Sequence, residues 1–151
     1  VTLRTAGFNN FAMDELANGT LVTSSVLMFI GAGSASTGGG IKVATAMILV
    51  LIVVSELRGR PDVTAFGRRI GAPAQRRAMA VILIALALIV TAALAIAGIA
   101  STQAPHLGMR DIAFECVSAF ATVGLSTGIT AQLPPGAKLI IIALMFIGRV
   151  G

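Results

Sequence analysis

Thr122-Val123-Gly124-Leu125-Ser126 decides the reading of this chain, because its outline occurs twice. Thr5-Ala6-Gly7-Phe8-Asn9 shares the Thr-x-Gly core. The shift that carries Thr5 onto Thr122 also carries Leu27-Met28-Phe29-Ile30-Gly31 onto Leu144-Met145-Phe146-Ile147-Gly148, residue for residue. A short loop followed at fixed distance by the same apolar pentapeptide is an internal repeat. Chance apolar similarity explains the pentapeptide poorly, and the shared spacing worse.

Around the loops the chain is apolar. Of 151 residues, 56% are hydrophobic and 11% charged, with mean hydropathy +0.96. Soluble domains carry about 25% charged residues, so the composition points to an all-α integral membrane protein. The length suggests one domain. The net charge of +5 does not mark a nucleic-acid binder, because six of the 11 basic residues are arginines confined to 55–77. Cys116 is the single cysteine, so no internal disulfide can form. No signal peptide is visible at the start. The chain opens inside one loop copy and stops within an apolar run, which reads as a piece of a longer protein.

In chain order, residues 10–20 are polar and read as a connection. From Leu21 to Val54 the sequence is mostly apolar, well beyond the ~20 residues that one crossing needs. The excess falls at 31–40, which holds five glycines and no large side chain. Each helical glycine costs about 1 kcal/mol relative to alanine, so the spacing predicts helix, break, helix. Irregular backbone at membrane depth persists only against protein or a wet cavity. Nucleotide motifs fail here: a P-loop needs lysine where Gly39 stands, and a dinucleotide fingerprint needs glycine or alanine at Ser36.

Residues 55–77 form a basic connection, with Arg58, Arg60, Arg68, Arg69, Arg76 and Arg77 against Glu56 and Asp62 and with Pro61 and Pro73 as breakers. The positive-inside rule puts it in the cytoplasm. Ala78 to Ala100 is free of charge and long enough to cross once, which leaves 101–109, with His106, outside. Arg110 to Ala121 then reads as a half-helix of about 18 Å, with Asp111 suited to its positive end. The second loop follows, the chain turns at Pro134-Pro135-Gly136, and an apolar helix runs from Ala137. The predicted organisation is a partial repeat at 1–54, a basic linker at 55–77 and a full repeat at 78–151.

A half-helix followed by an extended loop suits a cation. The helix C-terminus is the negative end of its dipole, and loop carbonyls can replace an ion's water shell. Gly7 and Gly124 tolerate the unusual backbone this requires, and Thr5 and Thr122 can add oxygens. Glu115 sits inside the half-helix and reads as a structural hydrogen-bonding group. Arg149 lies about 16 Å along its helix from Lys138, so it either faces a cavity at mid-membrane or snorkels to the interface. Lys42, which begins a helix half, either reaches the interface or takes part in gating. His106 has no companions for a metal site. An intramembrane protease needs an Asp pair or a Ser–His pair, and the aspartates fall in loops or at an element end, so no enzyme is expected and no cofactor. An ion-coupled transporter built on broken helices and a purely structural membrane subunit are the competing classes.

The residues quoted so far, with Ser36-Thr37-Gly38-Gly39-Gly40-Ile41-Lys42, Phe114 to Ser126 and Met145-Phe146-Ile147-Gly148-Arg149-Val150-Gly151, resemble the C-terminal half of the Trk/Ktr/HKT superfamily of potassium uptake proteins. The resemblance implies four helix–half-helix–helix repeats around one pore, of which this chain carries the fourth and part of the third. It implies potassium coordinated by backbone carbonyls of Thr5, Ala6, Gly7, Thr122, Val123 and Gly124. It implies a gate of the 31–40 loop, with Gly38, Gly39, Gly40, Lys42 and Arg149. It also implies a multi-pass protein in the bacterial plasma membrane, surrounded by lipid, working as a homodimer with a cytosolic nucleotide-binding regulatory subunit. Sodium permeation stays open as an alternative. The arginine asymmetry gives a direct test in the full-length protein. A cysteine at position 64 should be labelled only from the cytoplasm and one at position 101 only from outside; external labelling at 64 would overturn the arrangement.

Overall fold

A computed structural model describes residues 18–30, 41–59, 64–65 and 68–150. Its elements are α1 (Asn18–Phe29), α2 (Val43–Leu57), β1 (Thr64–Ala65), β2 (Arg68–Arg69), α3 (Ala72–Gln103), α4 (Met109–Phe120), a 3-10 turn (Ile129–Gln132) and α5 (Pro135–Val150). The all-helical expectation needs one small correction: β1 and β2 pair antiparallel, Thr64 opposite Arg69 and Ala65 opposite Arg68, inside the basic connection. That connection is also shorter than 55–77, because α2 runs on to Leu57 and α3 begins at Ala72. Pro73 does not break α3. It sits in the first turn, where a missing N–H costs nothing.

At 32 residues α3 is the one described helix long and apolar enough to cross a membrane, reaching about 48 Å at 1.5 Å per residue. Its buried seam is mostly alanine: Ala78, Ala85, Ala92, Ala93 and Ala100, with Ile89 and Ile96. Small residues let helix backbones approach closely where no aqueous hydrophobic effect drives them together. Its outer face is equally apolar, with Leu83 66% and Ile84 60% exposed. Hydroxyls along the helices fold back on their own turns: Thr23 donates to the Gly19 carbonyl, Ser25 to Leu21 and Thr91 to Ala87, each at 2.8 Å. Such back-bonding hides a polar group that has no water to meet.

The two helices expected on either side of a break in 21–54 are α1 and α2. α1 ends at Phe29, and Lys42 precedes α2 in extended backbone (φ −63°, ψ 141°). The glycine run between them, including Gly38, Gly39 and Gly40, lies outside the described residues, as do Thr5, Ala6 and Gly7.

α4 is the centre of the packing. It touches α1, α3, α5 and the 3-10 turn, and Ile112, Phe114, Glu115, Cys116, Ser118, Ala119 and Phe120 are all buried. α5 lays Ala137, Ile141, Leu144 and Gly148 inward, a stripe at helical spacing. Its tightest point is Gly148, where a β-carbon would stand 1.8 Å from the Phe120 carbonyl oxygen. No rotamer can relieve a clash with backbone, so the helices must separate if Gly148 gains a methyl group. Gly148→Ala should therefore destabilise the detergent-solubilised full-length protein by about 1–3 kcal/mol or more, the usual cost of overpacking. Gly98→Ala, in α3 with nothing near its missing β-carbon, should be neutral or stabilising by up to about 1 kcal/mol. Equal thermal midpoints for the two variants would show that the close approach is absent.

Candidate functional site

The site is the segment that leaves α4. Three hydrogen bonds turn the chain out of the helix: Ala121 N–H donates to the Val117 carbonyl (2.9 Å), Thr122 N–H to Ala119 (3.1 Å) and Val123 N–H to Ser118 (3.0 Å). The last two are the paired bonds of a Schellman ending, which requires a left-handed residue at the position Thr122 occupies. Thr122 has φ 53°. A β-branched residue there is strained, at about 1–3 kcal/mol. In this loop the sequence assigns the unusual backbone to Gly124, as it does to Gly7 in the first copy. Gly124 does have φ 82°, but Thr122 shares the property, and nothing in its side chain signals it.

The last carbonyls of α4 are engaged within the protein. The carbonyls of Val117, Ser118 and Ala119 are occupied by the loop's own N–H groups, and that of Phe120 abuts Gly148. The carbonyls of Ala121, Val123 and Gly124 accept no hydrogen bond from any described residue. Ala121 and Val123 are 0% and 2% exposed. Buried carbonyls without a partner are uncommon, since desolvating one costs as much as a lost hydrogen bond. Positive φ at Thr122 and Gly124, with Val123 between them on the ordinary side, alternates the hand of the backbone.

The loop's side chains point into protein. Val123 and Leu125 are buried in one cluster with Phe114 and Ala121 of the α4 end and with Leu21 and Met28 of α1. The first sequence copy thus supplies a wall for the loop of the second. Met28 is legible as a packing residue; that its partner lies in the other copy is not.

Beyond Gly124 the loop returns to α4. Glu115, 6% exposed, accepts hydrogen bonds through Oε1 from the Ser126 hydroxyl and from Thr130 Oγ1 at 2.8 Å. Ser126 Oγ accepts the Gly128 N–H at 2.9 Å, and Gly128 turns the chain with φ 88°. The expectation that Glu115 is a structural hydrogen-bonding group gains its partners here. The sequence motif includes Ser126 but assigns it no role, and it does not reach Thr130. A cavity of about 120 Å³ lies between loop, α4 and α5, lined among others by Glu115, Gly124, Ser126, Thr130 and Met145. The hydroxyl of Thr127 is buried with no partner among the described residues. Away from the cavity His106 Nε2 lies 2.9 Å from Gln132 Oε1, and Lys138 donates to the Ala131 carbonyl at 3.1 Å. Both bonds hold the far end of the loop region to its neighbours. Arg149 is exposed, one turn after Met145 on α5. Lys42 is exposed too.

The family model of the TrkH cation transport proteins matches residues 1–151. The chain belongs to the TrkH cation-transport family. It is 44% identical over 151 residues to the Ktr system potassium uptake protein B of Bacillus subtilis, covering 100% of this chain and 33% of that protein. It is 39% identical over 148 residues to the Ktr system potassium uptake protein B of Vibrio alginolyticus, covering 98% and 31%. It is 40% identical over 151 residues to the potassium/sodium uptake protein NtpJ of Enterococcus hirae, covering 100% and 33%. The chain spans about a third of the length of these relatives. The family is one of membrane cation transporters, and the resemblance drawn from the two loops is thereby established over the whole chain.

Proposed function

We propose that this chain is part of a potassium uptake protein of the cell membrane, with α4 as a pore helix and the loop after it as one segment of a selectivity filter. The observation that carries this reading is that the carbonyls of Val123 and Gly124, and of Ala121 just before the filter, accept no hydrogen bond from any described residue, in a backbone whose hand alternates. A potassium ion entering the membrane must replace its water shell, and carbonyl oxygens arranged on one side of a chain can do so. The filter comprises Thr122, Val123 and Gly124 and, by the internal repeat, Thr5, Ala6 and Gly7, facing a common axis. Two further loops belong to the part of the protein beyond this chain. The names of the relatives, potassium uptake protein B of a Ktr system, support both the ion and a partner subunit. The full protein works as a homodimer with a cytosolic nucleotide-binding regulator.

The gate is the glycine run at 31–40, with Gly38, Gly39 and Gly40, and Lys42 where the chain enters α2. Arg149, one turn beyond Met145 on the side of α5 that lines the loop cavity, repels cations below the filter or tethers the gate. Sodium permeation is the second reading, favoured by the potassium/sodium name of the Enterococcus hirae relative.

Potassium and sodium uptake by the full-length protein, in cells lacking other potassium transporters, tests the filter and the gate together. Gly124→Ser places a β-carbon on a left-handed residue, where strain of about 1–3 kcal/mol rivals the 1.4 kcal/mol of a tenfold preference. It should lower potassium-over-sodium selectivity about tenfold at unchanged membrane level, as should Gly7→Ser. Shortening 31–40, or Arg149→Ala, should raise flux with selectivity kept. Unaltered selectivity in both serine variants would remove the filter assignment, and unaltered flux in both gate variants would remove the gate.

A further inference from the structure

We propose that Glu115 is the positioning residue that fixes the Gly124 backbone, and that its hydrogen bonds to Ser126 and Thr130 set the choice between potassium and sodium. The proposal rests on the filter reading above and deepens it.

The anchors of the loop leave one residue between them. On the entry side Val123 is fixed by its N–H bond to Ser118 and by its buried side chain. On the exit side Ser126 is fixed by Glu115. Leu125 is 2% exposed and packs against the α1 residues. Among the described contacts of residues 122–126, only Gly124, with no side chain, has no anchor of its own, so its carbonyl position follows the fixed points around it. The exit anchor is itself braced. Thr130 bonds the same Glu115 oxygen at 2.8 Å, lies 3.2 Å from Ser126 Oγ, and Gly128 N–H donates to that hydroxyl at 2.9 Å. The segment 126–130 is therefore one hydrogen-bonded unit held to α4 by a single carboxylate oxygen.

That carboxylate is the only acidic group buried among the described residues. Burying a carboxylate is costly unless hydrogen bonds compensate. Two hydroxyl donors do so, from Ser126 and Thr130. Their hydrogen bonds are directional, so the exit of the loop is held in one place. A loop held at both ends resists contracting around a smaller ion. Releasing one end lets the Gly124 carbonyl follow sodium inward.

The role is that of an acceptor, and the glutamine variant separates it from a role of the charge. Both hydroxyls bond the same oxygen, so Glu115→Gln keeps an acceptor for each and removes only the charge. The experiment measures potassium and sodium uptake by the full-length protein, in cells without other potassium transporters, with membrane levels determined in parallel. Glu115→Ala should lower potassium-over-sodium selectivity about tenfold. Ser126→Ala and Thr130→Val should each lower it in the same direction, and Glu115→Gln should stay within about twofold of the parent. Combining Glu115→Ala with Ser126→Ala should add little beyond the larger single effect, because both cut the same strap. If Glu115→Ala does not reach the membrane, Ser126→Ala and Thr130→Val decide alone.

Selectivity unchanged in all alanine and valine variants, while Gly124→Ser lowers it, overturns the strap and leaves the filter standing. Glutamine behaving like alanine overturns it in favour of the carboxylate charge. A parent protein that does not distinguish potassium from sodium overturns the filter reading and this proposal with it.

Discussion

A helix that stops in an apolar interior must dispose of its last carbonyls, and the structure is built around that demand at the end of α4. Elsewhere in the chain a helix terminus can meet water or a lipid headgroup. At Phe120 protein closes in on every side described. The loop answers by folding its own N–H groups back onto Val117, Ser118 and Ala119. The cost is a threonine in left-handed backbone. What remains is a short run of carbonyls with no hydrogen-bond donor among the described residues. Those carbonyls are the feature a passing cation can use, so the solution to a folding problem and the proposed binding surface are the same atoms.

The supports around the loop follow from the same demand. α5 can close against the end of α4 only because Gly148 presents no side chain to the Phe120 carbonyl. The alanine seam of α3 lets that helix approach α4 and α5 closely. Leu21 and Met28 from α1 complete the wall behind Val123 and Leu125. Each contact sits where a larger or more polar side chain would move the loop. The apolar outer faces of α3 and α5 make no such demand, and their large residues, such as Phe146 at 70% exposure, turn away from the packed centre.

Much of this was legible in the chain. The half-helix expected over 110–121 is α4, one residue earlier at each end, because Asp111 and the glycine-marked loop bracket it clearly. The helix–break–helix reading of 21–54 placed both flanking helices, since a glycine-rich run inside an apolar segment has few other physical meanings. What sequence could not supply were contacts without a period. Ser126 and Thr130 lie 11 and 15 residues beyond Glu115, across a loop whose course no repeat predicts. Thr122 misled in a different way: its residue type argues against left-handed backbone, and only the tertiary demand for a Schellman ending forces it there. The early start of α3 was obscured because Pro73 reads as a breaker in general and as a helix starter only when its position is known.

The cluster joining Leu21 and Met28 to Val123 and Leu125 bears on the order in which the protein is made. Residues of α1 leave the ribosome well before those of α4. When the second loop emerges, the surface it must lie against has already been made. Chains generally acquire structure from the N-terminus during synthesis, so the earlier copy acts as a template on which the later one is cast. A duplication that reversed the order of the copies would present the loop before its wall. The internal repeat therefore carries a direction as well as a symmetry, written into which copy supports the other.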